Sequence, residues 1–367
     1  MKLLSTAFAA FALLAATVNG SPMLRMETEG KSKSDQQQVQ QQQQSSTSSS
    51  SGCNLTATYK KGTDISSCSS VTIGSLTVPA GVTLDLSKAK SGATITFTGT
   101  TTFGPAKWEG PLVLLGGNSL AVKGSGILDG QGAWYWKQGQ SITRPVFFRL
   151  QNVVGSTLIV TSKQTTLSGL TLDSSAGNGL AKNTDGFDLT KNDHITITGN
   201  KIYNQDDCLA MQSSTNTVFS NNLCCGGHGV SIGSLGGNAV DQSSTVQGLT
   251  VQGNTIQNSD NGIRIKTIVG LKGLVSNVKY VDNKLQNVKN AIVMHSDYSK
   301  AKGGYTGSPT SAVTIEGVTI SGLTGSATNL YDIVANPKVV SGWTFSGIKV
   351  SASANGKAVG QPNSVSV

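Results

Sequence analysis

The stretch Asn204–Gln212, NQDDCLAMQ, sets two carboxylates side by side just before a short apolar run. Like charges held that close cannot all ionise freely, so at least one should bind its proton more tightly than an ordinary aspartate. Two further segments place an acid or base in the same relation to an apolar run: Asp185 in NTDGFDLT and His228 in GGHGVSIG. A fourth, GIRIKT, carries Arg264 and Lys266 on one side of a strand, with one residue between them. A protonated carboxylic acid beside ionised ones is the pairing that cleaving a glycosidic bond with water needs. One group protonates the leaving oxygen and the others activate the water. Fixed Arg and Lys side chains answer a different need, because they hold carboxylates. Gathered in one place, these residues suit an acidic sugar chain.

Gathering them takes a particular architecture, and the sequence supplies a repeat. GNKIYN, SNNLCC, GNTIQN and DNKLQN each read Asn, any residue, then Ile or Leu, with leading asparagines at Asn200, Asn222, Asn254 and Asn283. Before each lies a short alternating strand (HITITG, NTVFSN, LTVQG, VKYVD), and after each a second apolar one (DCLAMQ, GVSIGS, GIRIKT, AIVMHS). Strands that recur without helices between them indicate a solenoid, in which each unit buries its apolar face only by stacking on its neighbours. The recurring asparagine is expected to stack as an internal ladder. The fold class is therefore all-β, a single right-handed parallel β-helix of about ten coils. In such a helix equivalent positions on successive coils lie about 4.8 Å apart, so distant segments become a column. An antiparallel sandwich explains the strands but not the asparagine corner.

Composition agrees. Glycine is abundant at 44 residues, aromatics are 5% and charged residues 13%, and no long segment has the apolar period of a helix. Residues 1–20 read as a signal peptide: Lys2, an apolar stretch Leu3–Val18, then small residues. That stretch is short for a membrane span. Residues 21–52 read as a pro-segment or a disordered Gln/Ser-rich linker, too polar to offset its ordering entropy. Residues 53–367 are left as the folded domain. Four of the 28 basic residues and three of the 19 acidic ones precede Cys53, so the domain keeps 24 against 16, a net +8 suited to anionic partners. Five cysteines in a secreted chain imply disulfides with one thiol left over. Nearest neighbours give Cys53 with Cys68, and Cys208 with Cys224 or Cys225. Asn54 opens a glycosylation sequon.

Taken singly, each of these signals has a plain reading. Asp206 and Asp207 alone would be a turn, and Arg264 with Lys266 a solvated strand face. GGHG is no phosphate cradle, since no helix follows to supply a dipole. His194 and His295 read as solvated turn and strand-end residues, and Asp188 as an outward cap of its coil with room for a subsite role.

Together, NTD (183–185), QDD (205–207), GGHG (226–229) and RIK (264–266), in that order and spacing, resemble the polygalacturonases of glycoside hydrolase family 28, of fungal or oomycete type. The likeness runs from about Cys53 to at least Thr310 and includes GSGILDGQGAWYW (124–136). It implies hydrolysis, with inversion, of α-1,4 bonds between galacturonate units in de-esterified pectin. Asp206 would protonate the glycosidic oxygen, Asp185 and Asp207 would hold and deprotonate the water, and His228 would tune the acid. Arg264 and Lys266 would bind substrate carboxylates. Tyr298 matches a substrate-contacting tyrosine, with Tyr305 close by, and Asn183 would support the first carboxylate. The expected partner is pectin, with no nucleic acid or membrane; the signal-like start makes the chain extracellular, a monomer is the default, and no metal or organic cofactor is expected because carboxylates supply both protonation and base catalysis. Coil spacing alone would instead sit nearer the carboxyl separation of retaining enzymes. The chain departs from the family at three points: no cysteine after Cys225, a cysteine at 225 itself that leaves a free thiol paired with nothing, and Lys182 where a histidine is expected. The rival readings are a β-eliminating pectate lyase and a non-catalytic pectin-binding solenoid.

Overall fold

Ten apolar side chains from ten successive strands stack in one inward column: Val71, Ile95, Val122, Leu167, Ile197, Phe219, Val251, Tyr280, Ile320 and Phe345. Each is the register partner of the next in a parallel ladder, so one column traces the length of a right-handed parallel β-helix of about ten coils. A computed structural model of the chain describes residues 53–139, 141–151 and 163–367, together with the two-residue strand Ala10–Phe11. Apart from that strand, the expected signal and linker segments lie outside the described residues. Among those described, no helix is long and apolar enough to cross a membrane.

Alternation fixes which side chains face in. The strand Phe187–Thr198 alternates buried and open residues and pairs in parallel with Leu209–Ser220 of the following coil. A second ladder runs Leu172, Ile202, Cys224, Ile256 and Leu285. Between these two ladders the chain turns a corner, and the repeated asparagine sits there. Asn200, Asn222, Asn254 and Asn283 are 0–2% exposed. Each of the first three donates from Nδ2 to Oδ1 of the next, at 2.9–3.0 Å, and its backbone N–H reaches the same oxygen. Their amide groups thus satisfy a buried corner that would otherwise strand backbone donors.

Several buried polar atoms have no partner among the described residues, and the Tyr280 hydroxyl is one of them. Tyr280 is fully buried in the first column and its hydroxyl has no hydrogen-bond partner among the described residues. Burial drives its phenol well above the usual range. Replacing Tyr280 with Phe should therefore stabilise the fold by about 1 kcal/mol, the desolvation penalty of one unpaired hydroxyl. The denaturant midpoint of Tyr280→Phe reads this directly, and a lower midpoint would mean that the hydroxyl is paired.

Two disulfides brace the coils. Cys53 joins Cys68 at the entrance, and Cys208 joins Cys224 in the interior directly behind Asp207. Cys225 is a half-buried free thiol that accepts a hydrogen bond from Gln257 Nε2 at 3.3 Å. Asn54 opens the first strand of the domain, exposed.

Candidate active site

The third ladder builds a floor. Its outward positions run Asp188, Ala210, Ser231, Arg264, Val293 and Asp332, each in register with the next. The turns that lead into these strands bring the acids to the edge of that floor. Gly186 N–H bonds to the Asp207 carbonyl at 2.9 Å, and His228 N–H to the Asp206 carbonyl at 2.8 Å, so 185, 206–207 and 228 occupy neighbouring coils. Glycine is required on both sides of His228. Gly227 and Gly229 have positive φ, and a Cβ there would strike the carbonyl oxygens of Asp206 and Asn261. Asn204, 5% exposed, ties the turn by donating to the carbonyls of Thr184, Asp206 and Asp207, all at 2.9 Å.

Asp207 is 2% exposed and engaged at both oxygens. Oδ1 accepts from Ser231 Oγ at 2.7 Å and from an Arg264 Nη group, while Oδ2 accepts from Lys266 Nζ at 3.2 Å. Arg264 Nε donates to Ser231 Oγ at 2.8 Å, which makes Ser231 a bridge between acid and cation. Asp206 is more open. Its Oδ2 accepts the Asn183 N–H at 3.1 Å, and its Oδ1 accepts the Asp207 N–H and lies 2.9 Å from His228 Nδ1. His228 Nε2 in turn faces Asp260 at 3.7 Å.

Electrostatics separate the three acids. Burial, then the charges of Asp206, Asp207 and Asp188, push the Asp185 carboxyl well above the usual range, against the pull of Lys266. Burial alone would also raise Asp206, but the hydrogen bond and charge of His228, with Lys266, outweigh it and hold that carboxyl below the usual range. Asp188 keeps one side open to solvent. Even so, the protein packed around it, followed by Asp207 and Asp206, pushes its carboxyl up to about 6.

A stability consequence follows for Asp185. Between the ordinary carboxylate value and its raised one, the folded protein holds a proton that the unfolded chain has released. Folding stability therefore falls as pH rises through that window. Asp185→Asn should remove this fall and be more stable at neutral pH by about 1–2 kcal/mol, as when a strained functional group is deleted. Denaturant midpoints at several pH values from about 4 to 7 should show a flatter curve for the variant. Parallel curves would count against the raised carboxyl.

Asp206, Asp207 and His228 offer ligand atoms within 4.8 Å of one another. Those donors are already spent: Asp207 faces two cations and His228 Nδ1 faces Asp206. The set is a charge-balanced network and makes a poor cradle for a further cation.

A domain-length match decides the family. The model of glycosyl hydrolases family 28 matches residues 68–366. The chain belongs to this family. Among its relatives, endopolygalacturonase I of Aspergillus oryzae is 41% identical over 324 residues, covering 82% of this chain and 86% of that protein. An endo-polygalacturonase of Sclerotinia sclerotiorum is 40% identical over 326 residues, covering 82% and 83%. Endopolygalacturonase I from Stereum purpureum, solved with two galacturonates, matches with 27% identity and a TM-score of 0.58, covering 83% of this chain and 99% of that one. Endo-xylogalacturonan hydrolase from Aspergillus tubingensis, at 23% identity and TM-score 0.65, shares the fold.

In this family 28 chain the residues singled out from sequence do converge, with two corrections and several additions. Asn183 serves Asp206 rather than Asp185, and does so through its backbone N–H at a φ of 54°, not through its amide. His295, expected to be solvated, is 3% exposed and lies between Asp297 and Asp332. A hairpin folds back over that strand end and covers it. Tyr298 lies beside Lys266, with Nζ 5.6 Å from the ring centre. His194 is exposed as expected, and Lys182 is exposed. Ser231 and Asn204 were not anticipated as contributors. The repeat alignment could have found Ser231, since GVSIG set above GIRIK places it in register with Arg264. No cysteine staples the last coils. Buried Trp343 closes them, donating to the Ile315 carbonyl at 3.0 Å and accepting from Ser364 Oγ at 2.7 Å.

Proposed function

We propose that this glycoside hydrolase is an endo-acting polygalacturonase, secreted and monomeric, that cleaves α-1,4-galacturonosyl bonds of de-esterified pectin with inversion. The observation that carries the reading is the meeting of three carboxylates with Arg264 and Lys266 on one floor. Its named relatives are endopolygalacturonases.

Asp206 is the acid that protonates the leaving oxygen. In the free protein His228 and Lys266 favour its ionised form. A galacturonate carboxylate seated against Lys266 neutralises that pull and displaces water. Both changes raise the proton affinity of Asp206 as substrate binds. Asp207, pinned by Ser231 and the two cations, orients the attacking water. Asp185, whose affinity for protons is raised, takes the water's proton when ionised; a base tuned upward is the more effective one. His228 couples Asp206 to Asp260 at the cleft rim. Lys266, against the Tyr298 ring, receives a sugar carboxylate. The β-eliminating alternative needs a basic side chain free to remove a proton, and both cations here are committed to Asp207.

Viscosity and reducing ends, followed together on polygalacturonate, test the reading. Endo cleavage should collapse viscosity while few ends have formed. Ends that accumulate at nearly constant viscosity would make the enzyme exo-acting, and no ends at all would remove the activity.

A further inference from the structure

The floor does not end at Lys266. On the next coil its register partner is His295, and Val293 stands there beside Arg264. Residues two apart on a strand share a face, so His295 points outward as Lys266 does. An outward side chain at the end of a cleft should be open, yet His295 is 3% exposed. Two carboxylates hold its plane: Nδ1 lies 2.6 Å from Asp297 Oδ1 and Nε2 3.2 Å from Asp332 Oδ1. Tyr305 covers it, lying flat on the imidazole with 3.6 Å between ring centres and 13° between planes.

The hairpin that delivers Tyr305 is anchored at its base. Asp297, 1% exposed, accepts the Gly307 N–H at Oδ2 at 2.6 Å, and its carbonyl accepts the Thr306 N–H and hydroxyl at 2.9 and 3.0 Å. Gly304–Tyr305 then runs antiparallel to Tyr298–Ser299. A T-shaped contact with Tyr298, 6.0 Å between centres, fixes the Tyr305 ring from the side. Tyr298 itself lies 5.6 Å from Lys266 Nζ.

A ring that lies flat on an outward imidazole turns its second face away from the solenoid. Tyr305 is 40% exposed although one face is covered. That open face continues the site one coil, about 4.8 Å, past Lys266, on the side away from Asp185 and Asp206. The floor changes character there. Val293 is apolar, and His295 is committed to two acids, so a sugar carboxylate gains nothing from this coil. A pyranose ring does gain, because its C–H groups suit the negative face of an aromatic ring.

We propose that Tyr305 is a stacking subsite for a pyranose: its outer face takes the sugar unit beyond the one whose carboxylate meets Lys266, and it reads the ring instead of the charge. The proposal deepens the polygalacturonase reading and rests on it.

Three variants test it. Tyr305→Phe keeps the ring, Tyr305→Leu still covers His295 but has no flat face, and Tyr305→Ala removes both. Kinetics on polygalacturonate, and the bonds cut in end-labelled hexagalacturonate, are compared with wild type. Tyr305→Leu and Tyr305→Ala should each raise KM about tenfold with kcat within about twofold, the scale of one lost aromatic contact. Both should also move the preferred bond in the hexamer, which a merely structural role would leave in place. Tyr305→Phe should restore the wild-type bond preference. A phenylalanine variant as impaired as alanine, a loss in kcat at unchanged KM, or an unaltered bond preference in Tyr305→Leu and Tyr305→Ala would overturn the proposal. Wild-type cleavage of the same two substrates checks the underlying reading separately.

Discussion

Asp206→Asn should fold as wild type and turn over polygalacturonate about 10²–10⁴-fold more slowly, the size of a lost general acid. The substitution conserves shape. An amide oxygen still accepts the N–H of Asn183 or Asp207, now at 3.1 and 2.9 Å from the carboxylate. What disappears is the proton, and no other group stands in its place. Asp185 sits on the adjacent coil, and Asp207 is held by Ser231, Arg264 and Lys266. The loss should fall on kcat, since Lys266 and Tyr298 remain to bind the chain. Stability should move opposite to Asp185→Asn. A carboxyl held below its ordinary value contributes stability above that value and loses it as pH falls through the folded one. Asp206→Asn should thus be slightly less stable at neutral pH, where Asp185→Asn is more stable. Near-normal kcat in Asp206→Asn, with an intact thermal midpoint, would end the assignment of the acid.

The largest loss of stability is expected at a residue with no part in the chemistry. Asn254→Ala should cost about 3–5 kcal/mol, by the sum of its buried orphans. Asn254 is 0% exposed. Its Oδ1 accepts from Asn222 N–H at 2.8 Å and Nδ2 at 3.0 Å, while its Nδ2 donates to the Phe219 carbonyl and Asn283 Oδ1, both at 3.0 Å. Alanine leaves two donors and the Phe219 carbonyl unpaired where no water reaches. Solenoid units are stabilised by their neighbours, so a break in the middle of the ladder uncouples the coils on either side. Asn287→Ala is the matched control. Asn287 is an exposed corner residue whose amide donates to Asn258 Oδ1 at 3.0 Å; with the strain of alanine at its φ of 54°, its loss should cost about 1–2 kcal/mol. Denaturant melts of the two variants compare them, and equal midpoints would refute the ladder's role.

The contrast between the two asparagines also shows how much was legible in the chain. The Asn-x-Ile/Leu spacing located the buried ladder, because a periodic fold turns sequence repeats into spatial neighbours. The same logic brought Asp185, Asp207 and His228 to one edge, and carried one step further it would have put Ser231 in register with Arg264. Periodicity says nothing about excursions from the coil. His295 looked like an exposed strand end because the hairpin that covers it belongs to no repeat, and Tyr305 reaches His295 only through that hairpin. Nor could residue types reveal that Asn183 acts through its main chain. The proton affinities were half legible: crowding predicted that one acid would be raised. That it is Asp185, with Asp206 lowered, depends on burial depth and on His228 being in contact.

At the root of the account is one chemical event, in which water displaces the sugar in a single step while a carboxylic acid protonates the departing oxygen. Proton NMR of the earliest products from polygalacturonate, before the anomers equilibrate, observes that event directly. Reducing ends that appear first as the β anomer are the predicted result. New ends that appear first as the α anomer, or an unsaturated uronide in their place, would contradict it.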